Sequence, residues 1–223
     1  MNAKKIITGV LIVTALAAGI WVIRKNQRPV TADAQVRVEE KIKGPAKAAV
    51  KIVEYSDFEC PACQKAQVEI KRIFEAFGPQ VNLVFRHFPL ESHRWSGLAH
   101  QAAECASRQG HFWEYHDRLF NDQLIWPKAV NPYEDFMRYA GELNLDLQAF
   151  GACLADSRIR EDILKEKTGG KELMITATPT FFINGERLVG PMELQTRASE
   201  IIRRELGLTP PEASPAAPSP EKP

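Results

Sequence analysis

Two runs rich in β-branched residues, AVKIVEY (49–55) and VNLVFRHF (81–88), flank one helical pattern, and a C-P-A-C sits at the first junction. Runs of this length and composition read as strands. Between them Cys63, Ala66, Ile70, Ile73 or Phe74, and Phe77 recur at spacings of three and four, which gives a helix one apolar face. Gly78-Pro79 stops that helix. A strand, a helix and a strand joined this closely form a βαβ unit, so the two strands are expected to be parallel with the helix laid over their sheet. The constraint fixes where the cysteines fall. Cys60 lies at the switch from strand to helix, and Cys63 lies one turn inside.

The rest of the folded unit, about residues 48–208, adds to this nucleus. Residues 92–171 are helical in pattern, broken near Gly110, at WPKAVNP (126–132) and near Asn144, and read as an inserted bundle of four or five helices. TFFI and ERLV then flank Asn184-Gly185, the strongest short-range signal for a two-residue type I′ hairpin. Met192–Leu206 closes the domain as an amphipathic helix. The order predicts an α/β fold, a mixed sheet flanked by helices with an inserted all-helical subdomain.

The flanks are different material. Lys4 and Lys5 precede an uncharged apolar run from Ile6 to Ile23, and Arg24, Lys25 and Arg28 follow it. As a helix that run spans roughly 27 Å, close to the ~30 Å hydrocarbon core of a bilayer. Residues 1–28 are therefore expected to be a membrane anchor or signal segment. Ala15-Leu16-Ala17 offers a cleavage site, but cutting there would leave the greasy stub Ile20–Ile23. Either reading exports the domain to a compartment where disulfides persist. Residues 29–47, polar and broken at Gly44-Pro45, read as a linker, and the Pro/Ala/Ser-rich 209–223 as a disordered tail. A net charge of +1 gives no reason to expect nucleic acid.

A C-x-x-C is half of a zinc site, a redox pair or a coincidence. Structural zinc needs about four ligands, and the other cysteines, Cys105 and Cys153, are isolated. His111 and His116 have a formal metal spacing but diverge on one helix, so no metal is expected. The strand-to-helix setting favours the redox pair. Unpaired N–H groups at the helix start favour a thiolate at Cys60, and Pro61 suits the first helical turn. Cys63, one turn in, is shielded and keeps a higher pKa. Cys60 is then the exposed attacking or attacked sulfur and Cys63 the resolving one.

VEYSDFECPAC followed much later by TATPTFFING resembles the DsbA-like branch of the thioredoxin superfamily, over almost all of the folded unit. The resemblance implies a thioredoxin fold with the helical insert where that branch places it. It implies a cis bond at Thr178-Pro179 lying against the redox pair, with Thr178 and Pro179 offering backbone to a bound peptide. Glu54, six residues before Cys60, shares a strand face with Val50 and Ile52, and this superfamily often keeps a buried acid there. Desolvated, it would take the proton from Cys63; at the strand end it would instead reach solvent or pair with Arg86. Cys105 and Cys153 both point into the bundle, as buried free thiols or, as the resemblance implies, a structural disulfide. The sequence departs from the best-known oxidants of the family at Ala62, where they carry histidine. The helix terminus alone then lowers the Cys60 pKa by about a unit. His87, His93 and His100 read as surface or capped histidines, and Phe112, Tyr115 and Leu119 as core.

The function this implies is an extracytoplasmic thiol:disulfide oxidoreductase working through Cys60 and Cys63 without a bound cofactor. Its partners would be cysteine-containing exported client proteins and a membrane redox partner, either a reoxidase or an electron donor. Disulfide donation is the expected direction. A reductase or isomerase would use the same residues, and a non-catalytic peptide-binding module would use the fold alone.

Overall fold

The computed structural model describes residues 41–209. The anchor or signal segment at 1–28, most of the linker and nearly all of the tail lie outside the described residues. Five strands form one mixed sheet in the order β1-β3-β2-β4-β5, with β1 at Ile42–Lys43, β2 at Val50–Ser56, β3 at Val81–His87, β4 at Thr180–Ile183 and β5 at Glu186–Val189. The βαβ expectation holds: β2 and β3 are parallel, with Val50 opposite Val81 and Glu54 opposite Phe85, and α1 (Pro61–Phe77) connects them. β4 runs antiparallel to β2 and brings Thr180 opposite Tyr55. The β4–β5 turn has Asn184 and Gly185 both at positive φ, as a type I′ hairpin requires.

Two hydrophobic cores lie along one face of the sheet, Leu83 of β3 entering one and Phe85 the other. In the first, Val50 and Ile52 of β2, with Phe181 and Leu188, meet Ala66, Ile70, Ile73 and Phe77 of α1 and Leu194, Ala198, Ile201 and Ile202 of α7 (Gly190–Glu205). The periodic apolar face of α1 is thus the face it buries. The second core belongs to the helical insert: α2 (Ser96–Ser107), α3 (Phe112–Asn121), α4 (Tyr133–Glu142), α5 (Leu147–Leu154) and α6 (Ser157–Glu172). Phe112, Tyr115, Leu119, Trp126 and Phe136 fill it, and Phe58, Phe85, Cys60 and Cys63 belong to the same cluster. The cysteine pair is therefore packed into the insert's core. Asp146 and Asp156 cap α5 and α6, accepting from the backbone N–H groups of Ala149 and Arg158.

α6 lies so close to the strand ends that a Cβ at Gly170 would stand 2.8 Å from the Phe88 ring and 3.1 Å from Tyr55. The linker expectation needs correcting at its end. Ile42 and Lys43 pair with Val84 and Leu83, and Lys41 is buried, so the folded domain reaches back to residue 41. A two-residue strand carries no periodic signal that a sequence pattern could report.

Cys105 of α2 and Cys153 of α5 form a disulfide with Cα atoms 5.8 Å apart, closing a loop of 48 residues. In the chain-entropy description a loop of that size is worth ~4 kcal/mol. Replacing both cysteines by alanine should lower the unfolding free energy by about 2–4 kcal/mol in denaturant titration, with the Cys60–Cys63 couple still reversible.

Candidate active site

β2 ends at Ser56, and the chain makes one tight turn before α1. The Cys60 N–H donates to the Asp57 carbonyl (3.1 Å), and the Cys60 carbonyl accepts from the N–H groups of Cys63 (3.0 Å) and Gln64 (3.2 Å). Cys60 is the N-cap residue, with extended backbone and no side-chain cap, and Pro61 follows at the first helical position. The first N–H groups of α1 are thus left facing the Cys60 sulfur. From the insert, Gln123 Nε2 donates to the carbonyls of Phe58 (2.7 Å) and Cys60 (3.0 Å), and Gln64 Nε2 returns a bond to Phe120 O (2.7 Å).

Thr178-Pro179 is cis and stands across from the pair, with the Thr178 carbonyl oxygen 3.5 Å from Cys60 Sγ. Both cysteines are free thiols here. Cys60 keeps 7 % exposure and Cys63 none, so Cys60 is the accessible sulfur but far less open than expected. Pro61 and Ala62 complete the turn without adding a charge.

The two sulfurs are driven apart electrostatically. The Cys60 thiol is pulled down from 9.0 to about 5, first by the hydrogen bond from the Cys63 thiol. Burial opposes the shift, and the Thr178 side chain joins the Cys63 and Ala62 N–H groups in favouring the thiolate. Burial pushes Cys63 well up, reinforced by the Cys60 charge. Cys63 Sγ also accepts from the Asp57 N–H at 3.4 Å. The neighbouring thiol and backbone donors therefore stabilise the thiolate beyond the helix terminus alone.

Glu54 is fully buried beneath α1, and burial raises its pKa to about 7. Its Oε1 accepts from Gln67 Nε2 (3.1 Å), while Oε2 has no partner. Arg86 is not its mate. Arg86 instead pairs with Glu166 of α6 (3.2 Å), because Arg86 leaves β3 on the opposite face from Phe85, the residue that faces Glu54 across the ladder.

A buried polar network beside the pair is the part that sequence reasoning missed. The Asp57 carboxylate accepts from the Glu59 N–H (2.9 Å), Ser96 Oγ (2.7 Å), the Leu90 N–H (2.7 Å) and His93 Nδ1 (2.8 Å). Burial alone would raise its pKa; the histidines His100 and His93 and the Leu90 N–H hold it far below the carboxylate range instead. His100 Nε2 lies 3.7 Å from Asp57, and its Nδ1 meets His87 Nδ1 at 2.6 Å. His87 Nε2 reaches Glu104 (3.2 Å), which also pairs with Lys41 (3.3 Å).

His87 and His100 are buried, not surface or capped histidines as expected. Burial and the Lys41 cation push His87 down to about 4. A signal was available, since Leu83, Phe85 and His87 share one strand face and the first two are plainly core. Among the described residues no group of three His, Cys, Asp or Glu side chains is placed to hold a metal.

Residues 37–202 match the thioredoxin family model. DsbA2 of Pseudomonas aeruginosa is 28 % identical, with a TM-score of 0.58 over 74 % of this chain and 93 % of that one. Oxidised BdbD of Bacillus subtilis shares the fold at 22 % identity, with a TM-score of 0.66 over 76 % of this chain and 95 % of that one. Na(+)/H(+) antiporter NhaA 3 of Salinispora tropica is 37 % identical over 164 residues, 73 % of this chain and 24 % of that protein. The chain thus spans about a quarter of the length of the curated relatives it matches. The chain belongs to the thioredoxin family, and its fold is that of DsbA-like proteins.

Two measurements check the electrostatics. Thiolate absorbance of the reduced protein should titrate near pH 5 and lose that transition in Cys60→Ala. Glu54 binds its proton more tightly folded than unfolded, so its own contribution to stability is lost as pH rises from about 4.5 to about 7, and the wild type should lose stability relative to Glu54→Gln across that window. Glu54→Gln should therefore be more stable than wild type at pH 8, by of the order of 3 kcal/mol, with little gain at pH 4.

Proposed function

We propose that this protein is a disulfide donor acting outside the cytoplasm on exported client proteins. The observation that carries the reading is the opposed pair of thiols: an accessible sulfur stable as a thiolate beside a buried one that holds its proton. A thiolate stabilised only after the disulfide opens favours the reduced protein. Each pKa unit of such stabilisation is tenfold in the exchange equilibrium, ~30 mV toward the oxidising side. The Cys105–Cys153 disulfide, outside the redox pair, supports an oxidising compartment.

In the forward reaction a client thiolate attacks Cys60 of the Cys60–Cys63 disulfide. The S–S bond breaks and its electron pair leaves on Cys63, which takes up a proton. Glu54, linked to the Cys63 carbonyl through Gln67 Nε2 (3.1 and 3.4 Å) and titrating near neutrality, supplies that proton and removes it in the reverse step. A second client thiolate then attacks the client sulfur of the mixed disulfide, expelling Cys60 as its stable thiolate. The client leaves oxidised by two electrons, and the enzyme keeps them as a dithiol. Thr178 and Pro179 supply the edge along which the client backbone lies, while Pro61 and Ala62 keep the approach to Cys60 uncrowded. Exposed Leu124 and Ile125, next to the Gln123 that grips Cys60, offer the client an apolar contact.

A membrane reoxidase would return the dithiol to the disulfide. Residues 6–23 would tether the folded domain, which reaches back to residue 41, outside the membrane, with the polar residues between as spacer. The occurrence of related modules in antiporter chains supports action at a membrane. Cys63→Ala should accumulate mixed disulfides with client proteins through Cys60, released by dithiothreitol, and Cys60→Ala should form none. In cells the wild-type pair should be trapped mostly as the disulfide. A pair found mostly as dithiol would point to a reductase or isomerase.

A further inference from the structure

The site contains a titratable ring that the exchange chemistry above does not use. His93 lies in the loop between β3 and α2, and its Nδ1 is 2.8 Å from Asp57 Oδ2. Its N–H donates to the Leu90 carbonyl (3.2 Å), while the Leu90 N–H itself donates to the same Asp57 oxygen (2.7 Å), so loop and carboxylate hold the ring in place. Asp57 in turn touches both redox residues through its backbone, accepting from the Cys60 N–H (3.1 Å) and donating to Cys63 Sγ (3.4 Å). The His93 side chain is 22 % exposed, so protons reach it from solvent.

We propose that His93 is a redox-linked proton acceptor: reduction of the Cys60–Cys63 disulfide places a proton on its ring, and reoxidation releases it. Most charges around the ring are fixed, and one changes. The charged groups acting on His93 are Asp57, Cys60 and Glu59. Its chain neighbour Arg94 stacks on Trp95 (4.7 Å), and from α2 His100 approaches the other Asp57 oxygen at 3.7 Å. Asp57 stays ionised throughout the neutral range, and Glu59 accepts from the Trp95 N–H (2.7 Å).

Cys60 alone changes charge with the redox state, neutral in the disulfide and a thiolate in the dithiol. A new negative charge close by favours the imidazolium. In the dithiol described here the His93 pKa is raised, first by the Asp57 hydrogen bond, with the Cys60 charge contributing. Pro61 and Ala62 bring no cation to the thiolate, and His93, held on the Asp57 carboxylate whose backbone accepts the Cys60 N–H, is the ring that can answer the new charge.

The step balances. A client dithiol gives two electrons and two protons as it closes its disulfide. The electrons open the Cys60–Cys63 bond, one proton goes to Cys63 and the other to His93, and Cys60 is left as thiolate. Without His93 the second proton enters solvent. The inference rests on thiol–disulfide exchange at this pair and holds for either physiological direction.

The exchange equilibrium of the full chain with glutathione, measured across pH, tests it together with NMR titration of the His93 ring in both redox forms. Between the ring's two titration midpoints the equilibrium should shift by up to a further tenfold per pH unit, ~30 mV. His93→Asn keeps a donor toward Asp57 but should lose that added slope. In the wild type the ring should titrate at higher pH in the dithiol than in the disulfide. Equal midpoints in the two forms, or an unchanged slope in the folded variant, would overturn the proposal. The slope tests His93 and the absolute potential tests the oxidase reading, so the two can fail separately.

Discussion

The turn from β2 into α1 depends on one buried carboxylate. A buried charge is costly unless it is fully hydrogen-bonded, and Asp57 meets that condition with four donors from three parts of the chain: its own turn, the loop after β3 and the first turn of α2. The same residue's backbone fixes both cysteines. Its carbonyl orients the Cys60 amide and its amide points at Cys63 Sγ. Removing the carboxylate would leave a cluster of buried donors unpaired, the more expensive side of a broken network. The start of α1, and with it the aim of the first helical N–H groups at Cys60, follows from this anchor.

The helical insert takes part in the chemistry. Its core encloses Cys63 and the Phe58 and Phe85 rings, and burial there keeps Cys63 protonated. Its Gln123 holds the carbonyls on either side of Glu59, and its Ser96 and His100 complete the shell of Asp57. Beneath α1, Glu54 is buried on the strand face of Val50 and Ile52, where burial brings a carboxylic acid to neutrality. The pair thus sits between two buried polar systems. One is suited to moving a proton at Cys63, and the other holds fixed charge beside Cys60.

Local patterns made much of this legible. The βαβ nucleus, the cysteine at the helix start, the Asn184-Gly185 hairpin and the buried face carrying Glu54 each follow from spacing within a few residues. The cis Thr178-Pro179 bond and the Cys105–Cys153 pairing came from the family resemblance, since neither spacing nor composition brings residue 178 to residue 60. What stayed hidden depends on contacts between distant segments. Arg86 chose Glu166 over Glu54 because the strand pleat sends it to the other face, toward α6. His87 and His100 looked like surface residues because a lone histidine carries no sign of its partner; Glu104 lies 17 residues from His87, and Asp57 lies 43 residues from His100 along the chain. Lys41 and the short β1 fell inside a stretch whose polarity reads as linker, although Lys41 is buried by its pairing with Glu104 and Glu166.

The central claim is that this environment holds the reduced pair down in energy and makes the disulfide an oxidant. The equilibrium reduction potential of Cys60–Cys63 against glutathione at pH 7 tests it most directly. A value near the oxidising end of the superfamily's range, about −120 mV, is the expected result. A value near −270 mV, the reducing end, would contradict it.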